Sequence, residues 1–173
     1  MKKSFLMAGV ILLAICITVS AVSADDSWSF NFSSDSETNT DGGQVEITNN
    51  HVKIQGFEFD IPEGYEANDS AKVVGEDAGD SFKDFKASQV RFDKGDDSII
   101  IKVVYGDNEL DDDSYTPDDD TVAKKINDVD GYFAEYDDGV SFDYIEDGKL
   151  VEIFAPDEKA LQSLINDNKF SNR

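Results

Sequence analysis

One cysteine, one histidine, one tryptophan and three prolines occur in 173 residues, and 15 lysines and arginines stand against 38 aspartates and glutamates. Each scarcity removes a class of chemistry. The single cysteine, Cys16, lies in an apolar N-terminal run, so the remaining chain forms no disulfide, holds no thiolate-bound zinc and has no cysteine nucleophile. With His51 as the only imidazole and no Gly-x-Ser-x-Gly elbow, a serine–histidine–acid triad has nothing to build on. A zinc site would have to be completed by carboxylates alone, so His51 is read as a surface residue at the start of a strand. Glycine loops of the P-loop or dinucleotide-binding spacing are also absent. The shortage of cations gives a formal charge of −23. Such a surface repels nucleic acid and anionic lipid, keeps an exposed protein soluble, and attracts divalent cations or basic partners.

The N-terminus has the layout of a secretory signal. Met1-Lys2-Lys3 is followed by an apolar stretch from Phe5 to Val19 and by Ala21-Val-Ser-Ala24, whose small and β-branched residues suit a signal peptidase. The expected organisation is therefore a signal peptide over 1–24, a disordered polar linker over 25–44, a single domain over 45–168 and a tail over 169–173. Cleavage leaves 149 residues, enough to bury one core, and removal of Lys2 and Lys3 takes the charge from −23 to −25. Left uncleaved, residues 5–22 offer about eighteen mostly apolar positions, near the lower limit for a membrane span. A membrane partner follows only in that case. Leu13-Ala-Ile-Cys16 has the outline of a lipoprotein box, but Ile15 stands where a small residue is required.

Within the linker, Trp28, Phe30 and Phe32 alternate with Ser29 and Asn31 at strand spacing, and are read as the end of a frayed tail. Two acceptor patterns for N-glycosylation occur, at Asn31 and Asn68.

The domain is expected to be α+β: a mainly antiparallel, curved sheet of five to seven strands packed by a C-terminal helix at about 157–166. Gly131–Tyr136, Val140–Ile145 and Leu150–Ala155 read as three consecutive strands joined by Asp/Gly turns. Val140, Phe142 and Tyr144 alternate with Ser141 and Asp143, which predicts one dry face and one wet face. Ala160, Leu161, Leu164 and Ile165 form one apolar stripe behind Pro156-Asp157, so a helix folds over the dry face. Upstream, the apolar phase flips at Gly56, which predicts a bulge or tight bend there. Residues 66–84 read as mostly loop. Ile99–Tyr105 reads as a central strand covered on both faces, and Thr121–Ile126 fits a strand or a helical turn, of which the strand is preferred.

The order Phe57-Glu-Phe-Asp-Ile-Pro-Glu-Gly-Tyr65, a hairpin, Asn127-Asp-Val-Asp-Gly131, Phe142-x-Tyr144, Gly148-Lys and a closing helix resembles small exported proteins of unknown function from methanogenic archaea. It is more distantly similar to a bacterial envelope domain, often lipoprotein-borne, of PsbP/Mog1-like type. The likeness covers about residues 51–166 and implies a curved antiparallel sheet with helices and an envelope location. It brings no catalytic residues.

Calcium is the one metal with candidate ligands. Asp111, Asp112, Asp113, Asp118, Asp119 and Asp120 crowd the loop 107–120, offering oxygens for loose, extracellular-type binding. Glu37-Thr-Asn-Thr-Asp-Gly42 has the opening of an EF-hand loop but Thr48 in place of the closing glutamate. The expected function is an exported acidic cell-surface or secreted module that binds an unidentified protein or surface ligand, without catalytic residues or cofactor. The alternatives are a calcium-responsive surface protein using the 107–120 loop and a carboxylate-based hydrolase of envelope polymers.

Overall fold

Two-residue turns set the architecture. The computed structural model describes residues 44–112, 114–117 and 120–166; the expected signal peptide, almost all of the linker and the C-terminal tail lie outside the described residues, as do Asn31, Asp113, Asp118 and Asp119. Eleven strands occur among the described residues: β1 (Val45–Thr48), β2 (His51–Ile54), β3 (Phe57–Asp60), β4 (Glu66–Ala67), β5 (Val73–Asp77), β6 (Lys86–Lys94), β7 (Asp97–Tyr105), β8 (Val122–Ile126), β9 (Val129–Tyr136), β10 (Gly139–Glu146) and β11 (Lys149–Ala155). A single α-helix, α1 (Glu158–Asn166), follows. At Gln55-Gly56, Asn127-Asp128 and Asp147-Gly148 both turn residues have positive φ, the backbone that matches the twist of a two-residue hairpin. The phase flip at Gly56 is thus a tight hairpin, with Ile54 opposite Phe57.

The strands form two open sheets. β1-β2-β3 is a small antiparallel meander, and the large sheet runs β4-β6-β7-β11-β10-β9-β8, with β5 also paired to β6. Every ladder is antiparallel. The fold is α+β, as expected, but the five to seven strands are eleven in two sheets. The difference comes from the short elements: residues 66–84, expected as mostly loop, hold the two-residue β4 and the exposed edge strand β5, whose sequence carries too little apolar alternation to announce itself.

One core joins the layers. Val90 and Phe92 of β6, Ile99, Ile101 and Val103 of β7, Phe142 and Tyr144 of β10, and Val151 and Ile153 of β11 face Val52, Ile54, Phe57 and Phe59 of the small sheet and Leu161, Leu164 and Ile165 of α1. Side chains of this size contribute about 1.5–3 kcal/mol each when fully buried. The helix begins where Asp157 caps it: Ala160 N–H donates to Asp157 Oδ1 at 2.7 Å, and Leu161 N–H to the Asp157 carbonyl at 3.1 Å.

The face expected to be wet is largely covered. Ser141 is 1% and Asp143 6% exposed, and Tyr115, from the connection between β7 and β8, donates its Oη–H to Asp143 Oδ2 at 2.8 Å. Leu110 joins Ala87, Val104 and Leu150 in a second apolar cluster on this side, with Phe82, Phe85 and Tyr115 packed against it.

Candidate functional site

The large sheet forks. β9 and β10 are in register from Tyr136 opposite Gly139 to Tyr132 opposite Asp143, and the ladder ends there. Both strands continue. β10 runs on through Tyr144, Ile145 and Glu146, held from behind by Val151, Leu150 and Lys149 of β11. Val129, Asp130 and Gly131 of β9 are held by Ile126, Lys125 and Lys124 of β8. Two supported strand edges therefore diverge.

Gly131 is the pivot. A Cβ there would sit 2.5 Å from the Asp143 carbonyl oxygen and 2.5 Å from Cζ of Phe142, closer than any side chain tolerates. Only glycine lets β9 press this tightly on β10 before turning away. Beyond it the β8–β9 arm is tied to α1 instead: Asn127 Nδ2–H donates to the Gln162 carbonyl at 2.8 Å, and Lys124 pairs with Glu158 at 2.8 Å. The Lys124 ammonium also lies 3.8 Å from the centre of the Phe133 ring.

The fork opens into a cleft of about 580 Å³, lined by Asp112, Ala123, Lys124, Lys125, Asp128, Val129, Asp130, Gly131, Tyr132, Tyr144, Ile145 and Glu146. That volume lies within the roughly 300–1,000 Å³ common for ligand sites. Its two lysines are committed, Lys124 to Glu158 and Lys125 to Asp130 at 2.7 Å. Glu146 is not: its Oε2 is shielded from solvent and makes no hydrogen bond. The facing Lys149 donates instead to the Gln55 carbonyl at 2.7 Å. Burial, with a smaller push from Asp147, raises the Glu146 pKa above the usual carboxylate value.

Next to the cleft a polar row crosses the covered face. Gln89, Lys102, Glu152, Asp143 and Tyr132 are successive register partners from β6 to β9. Lys102 and Glu152 form an ion pair at 2.5 Å with side chains only 6% and 10% exposed. Tyr115, bonded to Asp143, lies between Phe82 (centroids 6.5 Å) and Tyr132 (5.6 Å). Sequence reading missed this row. Its signal was there, in a lysine inside Ile99–Val104 and a glutamate inside Leu150–Phe154, opposite charges each set in an apolar strand.

The expected metal residues are not brought together among the described residues, where no group of three or more His, Cys, Asp or Glu is placed to hold an ion. Asp111 closes a turn, accepting Ser114 N–H at its Oδ1 at 2.9 Å. Asp112 reaches the cleft, and Asp120 is exposed. His51 pairs with Asp60 at 2.9 Å on the surface. Asn68 is engaged: its Nδ2–H donates to Asp93 Oδ2 at 2.7 Å and its Oδ1 accepts Ser70 Oγ–H at 2.6 Å. No helix among the described residues is long and apolar enough to cross a membrane. No protein-family model, curated protein or solved structure matches the chain.

Proposed function

We propose that this chain is an exported, non-enzymatic binding module of the cell surface or its surroundings, and that it takes its ligand in the cleft between β9 and β10. The observation that carries the reading is the end of the β9–β10 ladder at Tyr132 and Asp143, which leaves two braced strands lining an open cleft. The signal-like pattern of residues 1–24 and the charge of −23 support the location.

The test is co-sedimentation of the purified protein with isolated cell envelopes, alongside Ala123→Trp. Ala123 is exposed and lines the cleft, so the indole fills the site without entering the core. Binding that Ala123→Trp abolishes while the melting temperature holds supports the reading. Equal binding by both proteins, or none by either, overturns it.

A second reading, a carboxylate-based hydrolase of envelope polymers, draws on Glu146, a cleft carboxyl whose raised pKa suits a general acid. Release of soluble fragments from envelopes by the protein, lost in Glu146→Gln, would favour it.

A further inference from the structure

The ligand class can be read from the fork, on the reading that the cleft is the binding site. Main-chain groups point toward the fork from both sides. A two-residue hairpin closes on a hydrogen-bonded pair, and hydrogen bonding then alternates along each antiparallel strand. Counting from Tyr136 opposite Gly139, the β9-facing positions of β10 are 139, 141, 143 and 145. Counting from Ile126 opposite Val129, the β8-facing positions of β9 are 129, 131 and 133. The main-chain N–H and C=O of Ile145 and of Asp130 thus turn toward the fork, past the last rung of the ladder. Unpaired edges of this kind accept an added extended strand.

The fork is also acidic. Asp112 and Glu146 line the fork without an ion-pair partner among the described residues, Asp128 acts on a Lys125 that Asp130 already holds, and Lys124 is bound to Glu158. A point cation would need these oxygens to converge, and among the described residues they do not. A neutral chain would leave them uncompensated. A chain with cations spaced along it meets them where they stand.

We infer that the fork binds an extended, basic peptide segment of a partner protein, inserted as a short strand between Ile145 of β10 and Asp130 of β9, with a lysine or arginine head against Glu146. Glu146 lines the fork, and its carboxylate supplies the acceptor that the segment's cation meets. Gly131 still presses on β10, so the diverging stretches are Val129–Asp130 and Ile145–Glu146, and about two residues of guest, roughly 7 Å of strand, can be held.

The test measures binding of fluorescent heptapeptides to the full purified protein at physiological ionic strength. The probes are alternating lysine and valine, the same peptide with alternate backbone nitrogens methylated, alternating glutamate and valine, and spermine as a competitor. The lysine–valine peptide is expected to bind, the N-methylated and glutamate peptides to bind at least about tenfold more weakly, and Glu146→Gln to weaken the lysine–valine peptide about tenfold. Glu76→Gln makes the same charge change on the exposed edge strand β5 and should leave binding unchanged. Equal binding of the methylated peptide, full displacement by spermine, or equal losses in Glu76→Gln and Glu146→Gln would reduce the effect to bulk charge and overturn the inference. Failure of every peptide, with envelope binding still lost in Ala123→Trp, overturns the ligand class and leaves the binding site standing. Failure of both removes both.

Discussion

Lys102 of β7 and Glu152 of β11 are direct register partners whose side chains meet at 2.5 Å, out of solvent, in the centre of an eight-stranded sheet. Burying both charges costs desolvation that their attraction only partly offsets, so removing one partner leaves the other stranded. Lys102→Met alone, or Glu152→Leu alone, should lose about 3–5 kcal/mol of stability in urea unfolding. The double variant should recover most of that loss. Additive losses would show that the two residues do not act as a pair.

Gly131 is the last close contact of β9 with β10 before the fork. Gly131→Ala places a methyl against the Asp143 carbonyl and should cost about 1–3 kcal/mol through forced backbone movement. Gly139→Ala, which meets the Ala155 carbonyl at 2.5 Å in the same way, is the matched comparison and should cost a similar amount. Urea midpoints decide this, and a negligible change at Gly131 would mean that β9 and β10 are not pressed together there.

Glu146 should make stability depend on pH in a defined direction. Burial first, and Asp147 second, raise its folded-state pKa above the unfolded value. Its protonated form therefore favours the fold: that contribution is full below the unfolded pKa and is lost as pH rises through the folded one. Glu146→Gln should raise the thermal midpoint relative to the parent at pH 7, with the advantage shrinking toward pH 4. A variant that is destabilised at pH 7 and gains as pH falls would contradict the assignment.

The acidic loop gives a control on the calcium alternative. Thermal unfolding with millimolar calcium, against magnesium at matched ionic strength, should show equal small rises, the signature of screening a charge of −23. A calcium-specific rise of several degrees would place a native-state site in the loop 107–120 and favour the calcium-responsive reading.

The sequence made the central hairpins legible because both signals agreed there. Asp137-Asp138 and Asp147-Gly148 punctuate strands whose apolar residues alternate cleanly, and Leu161, Leu164 and Ile165 carry the helical stripe onto Phe142 and Ile153. The strand at Val122–Ile126 and the doubly covered strand at Asp97–Tyr105 are likewise as expected. What escaped depends on contacts between distant segments. Ser141 and Asp143 alternate as solvent-facing residues should, and distant segments, with Tyr115 bonded to Asp143 among them, turn that face inward. The fork was unreadable for the same reason. Val129 to Tyr136 is one uninterrupted strand in sequence, and the point at which it leaves β10 lies beside a glycine packed against the ring of Phe142, a contact made only in the fold.

Amide hydrogen exchange read by NMR tests the fork and its occupancy together. In the free protein the Ile145 and Asp130 amides should exchange at loop-like rates, while Tyr144 and Glu146, bonded to β11, stay protected. Adding the lysine–valine heptapeptide or an envelope extract should slow Ile145 and Asp130 selectively. Protection of both amides in the free protein, or slowing that falls elsewhere on the surface, would contradict the account.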